Sequence, residues 1–238
     1  EEFMKKSVFL YLVFLLVTSI MYSEPIDFWT LMNLYLKNTQ TEITDEMAED
    51  YMYLTNFTEH KKYRDDEFEW EDILLKNKNY LSEKINSSQN KTDFIIITGF
   101  DFGKYDSQRN GYAMEIGAGT YFRYSTSNET NISGRHPNDT FEKDVRFFPL
   151  DIEKYSLLPM NKDDAKTFLN ERKNRYGNID RNIVLFITLE SIIDYSSEEY
   201  KELESVYGKP YYLPSFGTIS GIEAYDVQGN KIGDLVKE

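Results

Sequence analysis

Apolar positions recur at helical spacing in the first part of the chain and at strand spacing afterwards. Phe28, Leu31, Met32, Tyr35 and Leu36 follow i, i+3, i+4, i+7, i+8, which places them on one face of a helix. A second helix is expected from Thr44 to Phe57, with Met47, Tyr51 and Leu54 on one stripe and Thr44 as N-cap. A third is expected from near Asp66, with Trp70, Ile73, Leu74, Leu81 and Ile85 on its stripe. Each stripe needs a partner surface to bury it. From Thr92 the period shortens to two. Phe94, Ile96, Phe100 and Phe102 alternate with Ile95 and Ile97, as in a strand buried on both faces.

Tyr112, Met114 and Ile116 alternate with Ala113 and Glu115, as in a half-exposed strand. Gln108-Arg109-Asn110-Gly111 before it is a turn, because Asn and Gly tolerate positive φ. Short strands are expected at Tyr121 to Tyr124 and Val145 to Phe148, separated by a polar loop from Ser125 to Thr140. Asn161 can cap a helix reaching about Asn174, with Asp163 and Asp164 in its first turn and Gly177 beyond its end. Ile183 to Ile193 is the strongest strand signal, apolar on both faces through Ile-Val-Leu-Phe-Ile-Thr-Leu. Ile219 to Val227 and Ile232 to Val236 form a terminal hairpin across Gln228-Gly229-Asn230. Helices followed by strands imply an α+β fold. Its N-terminal amphipathic helices pack on a mainly antiparallel β-sheet, with one further helix near 161–174. The expected organisation is a single α+β domain over 24–238, helical over 26–88 and β-rich over 92–238.

The front of the chain changes the picture of where the protein works. Met4-Lys5-Lys6 precedes an apolar run from Val8 to Met21, which Tyr22-Ser23-Glu24-Pro25 stops. A basic start before a short apolar run reads as a secretory signal. The run is shorter than the ~20 residues of a spanning helix. Residues 1–23 are therefore expected to be a signal peptide with a short upstream extension, Glu1-Glu2-Phe3, cleaved near Ser23-Glu24. Met21 is large for its place before the cut, so an uncleaved membrane anchor is the alternative. The chain has no Cys, which excludes a lipid-modified cysteine, disulfides and thiolate chemistry. Its Asn-rich, Cys-free character behind Met-Lys-Lys reads as bacterial, with periplasm, cell envelope or exterior as the expected location. Six Asn-x-Ser/Thr triplets, at Asn56, Asn86, Asn90, Asn128, Asn131 and Asn138, are then compositional.

Charge narrows the partners. Lys and Arg total 27 against 41 Asp and Glu, a formal −14, which repels phosphate backbones and argues against nucleic acid. Two His leave little for histidine catalysis or a zinc site. His60 lies beside Lys61-Lys62 on a polar helix end and His136 in the long loop, and both are expected to be solvated. Asp65, Glu69 and Asp72 would share a helix face within the acidic run Asp65 to Asp72, the pattern of a weak Ca²⁺ or paired-carboxylate site. Helix-start capping and solvation explain them more simply. Gly117-Ala118-Gly119 lacks the third glycine of a phosphate loop, since Phe122 stands there. Asp226 to Gly233 lacks alternating oxygen ligands and reads as a hairpin turn. No catalytic, cofactor-binding or metal-binding residue is assigned. Of the chain's 19 Tyr, Tyr121, Tyr124, Tyr211 and Tyr212 are the least explained by periodicity, and such rings can form a sugar platform.

Several segments in order carry a resemblance. They are Asp66-Glu67-Phe68-Glu69-Trp70, Phe100-Asp101-Phe102-Gly103-Lys104-Tyr105-Asp106 leading to Tyr112, Pro159-Met160 with Asp164-Ala165, Arg181 before a strand, and Ile222-Glu223-Ala224-Tyr225-Asp226 with Gly229-Asn230 and Gly233. Together they resemble an uncharacterised bacterial family, a domain of unknown function found in exported proteins. The resemblance implies no activity and transfers no residue role. The reading is a non-catalytic envelope protein that binds a protein or a glycan, with no cofactor. The alternative is a secreted hydrolase using paired carboxylates, on glycans.

Overall fold

The computed structural model describes residues 24–89, 94–126 and 137–237. The expected signal segment, His136 and the Asn90, Asn128 and Asn131 triplets lie outside them. Six α-helices and eleven strands are present among the described residues, an α+β fold. Helix α1 (Phe28–Asn38) starts where Asp27 accepts the Thr30 N–H at 2.6 Å. It buries Phe28, Leu31, Met32, Leu34 and Leu36. Helix α2 (Asp45–Thr55) is capped by Thr44, as its sequence requires, but does not reach Phe57. Asn56 leaves helical geometry at φ −144° and ψ 62° and caps a new helix, α3 (Phe57–Tyr63). Its Oδ1 accepts from the Glu59 N–H and its Nδ2 donates to Glu59 Oε2, so Asn-Phe-Thr-Glu works as a reciprocal capping pair. Helix α4 (Trp70–Ser87) begins four residues later than the acidic run suggested. Asp66 Oδ1 accepts the N–H groups of Phe68 and Glu69, each at 2.9 Å, and closes a turn there instead.

The strands form two sheets where one was expected. The larger contains β1 (Glu24–Pro25), β2 (Phe94–Asp101), β8 (Asn182–Ile192), β9 (Leu213–Tyr225), β6 (Asp144–Pro149) and β5 (Phe122–Ser125) in that spatial order, with β10 (Lys231–Asp234) also on β9. Its ladders are antiparallel except β1 with β2 and β6 with β9. The second sheet orders β11 (Val236–Lys237), β7 (Tyr155–Pro159), β4 (Gly111–Ala113) and β3 (Tyr105–Asp106). The stretches around Phe94 and Tyr112, adjacent in sequence, thus lie in different sheets. The chain bends at Phe102-Gly103, where a Cβ on Gly103 would stand 2.7 Å from the Ala113 carbonyl oxygen. Tyr105-Asp106 and Gly111–Ala113 then pair across a turn that Asp106 closes and in which Asn110 takes φ +53°. The terminal hairpin also divides: β10 stays on β9, while β11 crosses to β7.

Strand β8 is central, as its composition demands, between β2 and β9. Ile183, Leu185, Ile187 and Leu189 face the main core, while Phe186 joins Ile95 and Tyr225 in a small cluster on the opposite face. Strand β2 is buried on both faces only at Phe94–Ile96, since Ile97 is 37% exposed beyond them. Besides α5 (Lys162–Glu171), capped by Asn161, the β-rich half holds a second helix, α6 (Glu198–Tyr207), capped by Ser197. Tyr200 and Tyr207 of α6 pack on Phe216, and Tyr207 also packs on Phe148. Buried tyrosine hydroxyls have partners: Tyr195 donates to Ser215 Oγ, Tyr200 to the Pro214 carbonyl and Tyr112 to the Ala165 carbonyl.

Candidate functional site

Strand alternation builds the site on β6. In Val145-Arg146-Phe147-Phe148, Val145 and Phe147 enter the core, which turns Arg146 and Phe148 to the other face. The register sets Arg146 opposite Arg123 on β5 and Pro214 on β9. Arg123 is neutralised: its Nε and Nη2 reach Asp144 Oδ1 and Oδ2 at 2.9 and 3.0 Å. Arg146 is treated differently. Its guanidinium carbon lies 4.1 Å from the Tyr212 ring centroid, 4.6 Å from Tyr121 and 5.5 Å from Tyr211. Its Nε is buried with no hydrogen-bond partner. Three ring quadrupoles thus hold a cation that no carboxylate pairs with among the described residues.

The rings are positioned from three sides. The Tyr212 hydroxyl donates to the Tyr207 carbonyl at the end of α6, and its ring meets Tyr211 edge-on at 5.3 Å. Tyr121 leans on Phe148 at 5.5 Å. Tyr212 is buried, whereas Tyr121 and Tyr211 are 44% and 60% exposed, so two ring faces reach solvent beside the guanidinium. Burial pushes the Tyr212 hydroxyl up, against the opposing pull of Arg146. The guanidinium can donate hydrogen bonds and the tyrosine rings can stack.

The structure therefore unites Tyr121, Tyr211 and Tyr212, three of the four tyrosines lacking a periodic role. Tyr124 is not among them, because it points to the other side of β5 and packs against the main core. Burial raises its hydroxyl first, with the charge of Asp27 adding to the effect. Arg146 was not singled out in the sequence. Its signal was an arginine inside an otherwise apolar strand.

The other candidates disperse. His60 is not solvated: it is 1% exposed, packed edge-on between Tyr53 and Trp70, with Nε2 3.2 Å from Glu49 Oε1. Asp65 and Glu69 lie before α4, so they share no helix face with Asp72. Gly117 to Thr120 is a turn closed on itself, with Thr120 N–H and Oγ1 both donating to the Gly117 carbonyl. Asp226 accepts the N–H groups of Gln228 and Asn230 and fixes the β9–β10 turn. Among the described residues, no three His, Asp or Glu side chains converge as metal ligands. No helix among them is long and apolar enough to cross a membrane.

Comparison with known proteins adds one match. A family model described as a domain of unknown function, DUF4852, matches residues 44–171, more than half of the chain. The match runs from the cap of α2 to the end of α5 and includes Tyr121 and Arg146, while Tyr211, Tyr212 and the central strands lie beyond it. No curated protein and no solved structure matches the chain.

Proposed function

The chain belongs to the DUF4852 family of domains of unknown function, and since that family brings no stated activity, we propose a function from the site itself. The protein is a non-catalytic binding protein of the bacterial envelope whose ligand is a glycan. The observation that carries this reading is the Arg146 guanidinium, ringed by tyrosines with its Nε unpartnered. A sugar ring stacks on the exposed faces of Tyr121 and Tyr211, and its oxygens accept from Arg146. Exposed rings beside a cation suit stacking on a sugar, which favours binding over hydrolysis. Export rests on the basic start and short apolar run within residues 1–23.

Titration of the purified chain with envelope polysaccharide tests the proposal. Arg146→Ala and Tyr211→Ala should each weaken binding by about tenfold or more, as loss of a cation–aromatic contact beside a charged donor implies. Tyr211→Ala should melt like the parent, and Arg146→Ala, which gives up three ring contacts, should melt lower while staying folded under the titration conditions. Equal binding by both variants would overturn the site. Release of reducing ends from the polysaccharide would favour the hydrolase.

A further inference from the structure

On the helical side of the molecule two cavities meet. One, of about 770 Å³, lies between α2, α3 and α4, and Glu59, Asp72 and Glu83 line it. The other, of about 380 Å³, lies between α1 and α4, and Glu24, Asp27, Trp29 and Asn33 line it. Tyr51 and Tyr80 line both, with their ring centroids 6.2 Å apart. The result is one groove with an aromatic waist and carboxylates at both ends.

Asn33 gives the groove a specific demand. The residue is only 8% exposed, and its Oδ1 is buried without a hydrogen-bond partner. A buried acceptor left unpaired is costly, and α1 gains nothing from an Asn between Met32 and Leu34 on its buried side. A donor entering the smaller cavity would satisfy it. Tyr80 presents a second anomaly, because 47% of a large aromatic residue is exposed. As the wall of an occupied groove it would be covered.

We infer that this groove binds a linear aliphatic polyamine. One ammonium donates to Asn33 Oδ1 beside Asp27. The methylene chain crosses the Tyr51 and Tyr80 rings, and a further ammonium meets Glu59, Asp72 and Glu83. The carboxylates do not converge on one point among the described residues, so they suit charges spread along a chain and not a single metal ion. The protein's own ammonium groups already use these partners. Lys84 Nζ stands 5.3 Å from the Tyr80 centroid, and Lys76 Nζ is 3.9 Å from Glu59 Oε1. Asp27, Glu59, Asp72 and Glu83 outnumber these two lysines, which leaves room for added positive charge. Burial, with the charges of Tyr80 and Asp27 adding, pushes the Tyr51 hydroxyl up to about 12, so its ring stays neutral beside the ligand.

Calorimetric titration of the full chain with spermidine, at ~0.15 M salt to suppress loose counterion attraction, tests the inference. The expected result is a saturable single site. Asn33→Leu should weaken it about tenfold or more while keeping the fold, because it removes a buried unpaired acceptor at similar volume. Tyr80→Ala, at an exposed position, should weaken it as well. Arg146→Ala should leave it unchanged, so this site stands or falls separately from the tyrosine patch. No saturation, equal affinity in the Asn33 and Tyr80 variants, or equal binding of 1,8-octanediol or a neutral oligosaccharide would each overturn it.

Discussion

Asp50 is a fully buried carboxylate on α2, and it is satisfied from one short segment. Its oxygens accept the N–H of Asn138 at 2.9 Å and both the N–H and the hydroxyl of Thr140 at 2.7 Å. Asp50→Ala would strand those donors and should cost about 3 kcal/mol, read from denaturant melts. Asn138 is also bound through Nδ2, to Glu49 Oε2 at 2.9 Å, which occupies the nitrogen an N-linked sugar would need. A second carboxylate sets a pH response. Hydrogen bonds from the Ser196 N–H and hydroxyl hold Asp194 below the usual carboxylate range. A group whose value is lowered by folding stabilises the fold fully above its unfolded value, about 3.9. That stability is lost as pH falls through the lowered folded value. Acid melts of Asp194→Asn should therefore lack part of the parent's decline on that limb. An unchanged limb would mean that Ser196 does not hold the carboxylate in solution.

At the level of elements, β8 carries two kinds of burial. Ile187 is fully enclosed in the main core, while Phe186 leans on Tyr225 at 4.8 Å within a three-residue cluster on the other face. The larger core has less freedom to close around a gap, so Ile187→Ala should cost about 4 kcal/mol and Phe186→Ala about 3. Urea melts showing the reverse order would mean that the outer cluster is the tighter of the two. The strand was legible because seven nearly continuous apolar residues have only one comfortable place. Helix α6 was not, since its apolar stripe is Tyr200, Leu203 and Tyr207 among five acidic or lysine neighbours; only Ser197 before Glu198-Glu199 marked its start. The break at Asn56 was written as Asn-x-x-Glu and hidden by an unbroken apolar period. The split between sheets was not legible at all, because pairing depends on close approaches such as Gly103 to Ala113 that leave no local pattern. For the site, lack of periodicity pointed to the tyrosines, but their meeting at Arg146 needed the register of β5, β6 and β9.

For the molecule as a whole, processing is the accessible question. Glu24–Pro25 pairs with Phe94-Ile95 at one edge of the large sheet. Cleavage near Ser23-Glu24 would therefore leave that edge strand at the new terminus. Mass spectrometry of envelope fractions should find a mature chain starting close to Glu24, and a full-length cytosolic product would refute the export reading. The order in which the strands are joined has a temporal consequence. Strand β9 bridges β8 and β6, yet it spans Leu213–Tyr225, near the end of the chain. Its parallel partner β6 was synthesised some seventy residues earlier, and closing so long a loop is slow. Until β9 pairs, the β1–β2–β8 and β6–β5 parts of the large sheet have no strand between them, so closing the sheet is a late step of folding.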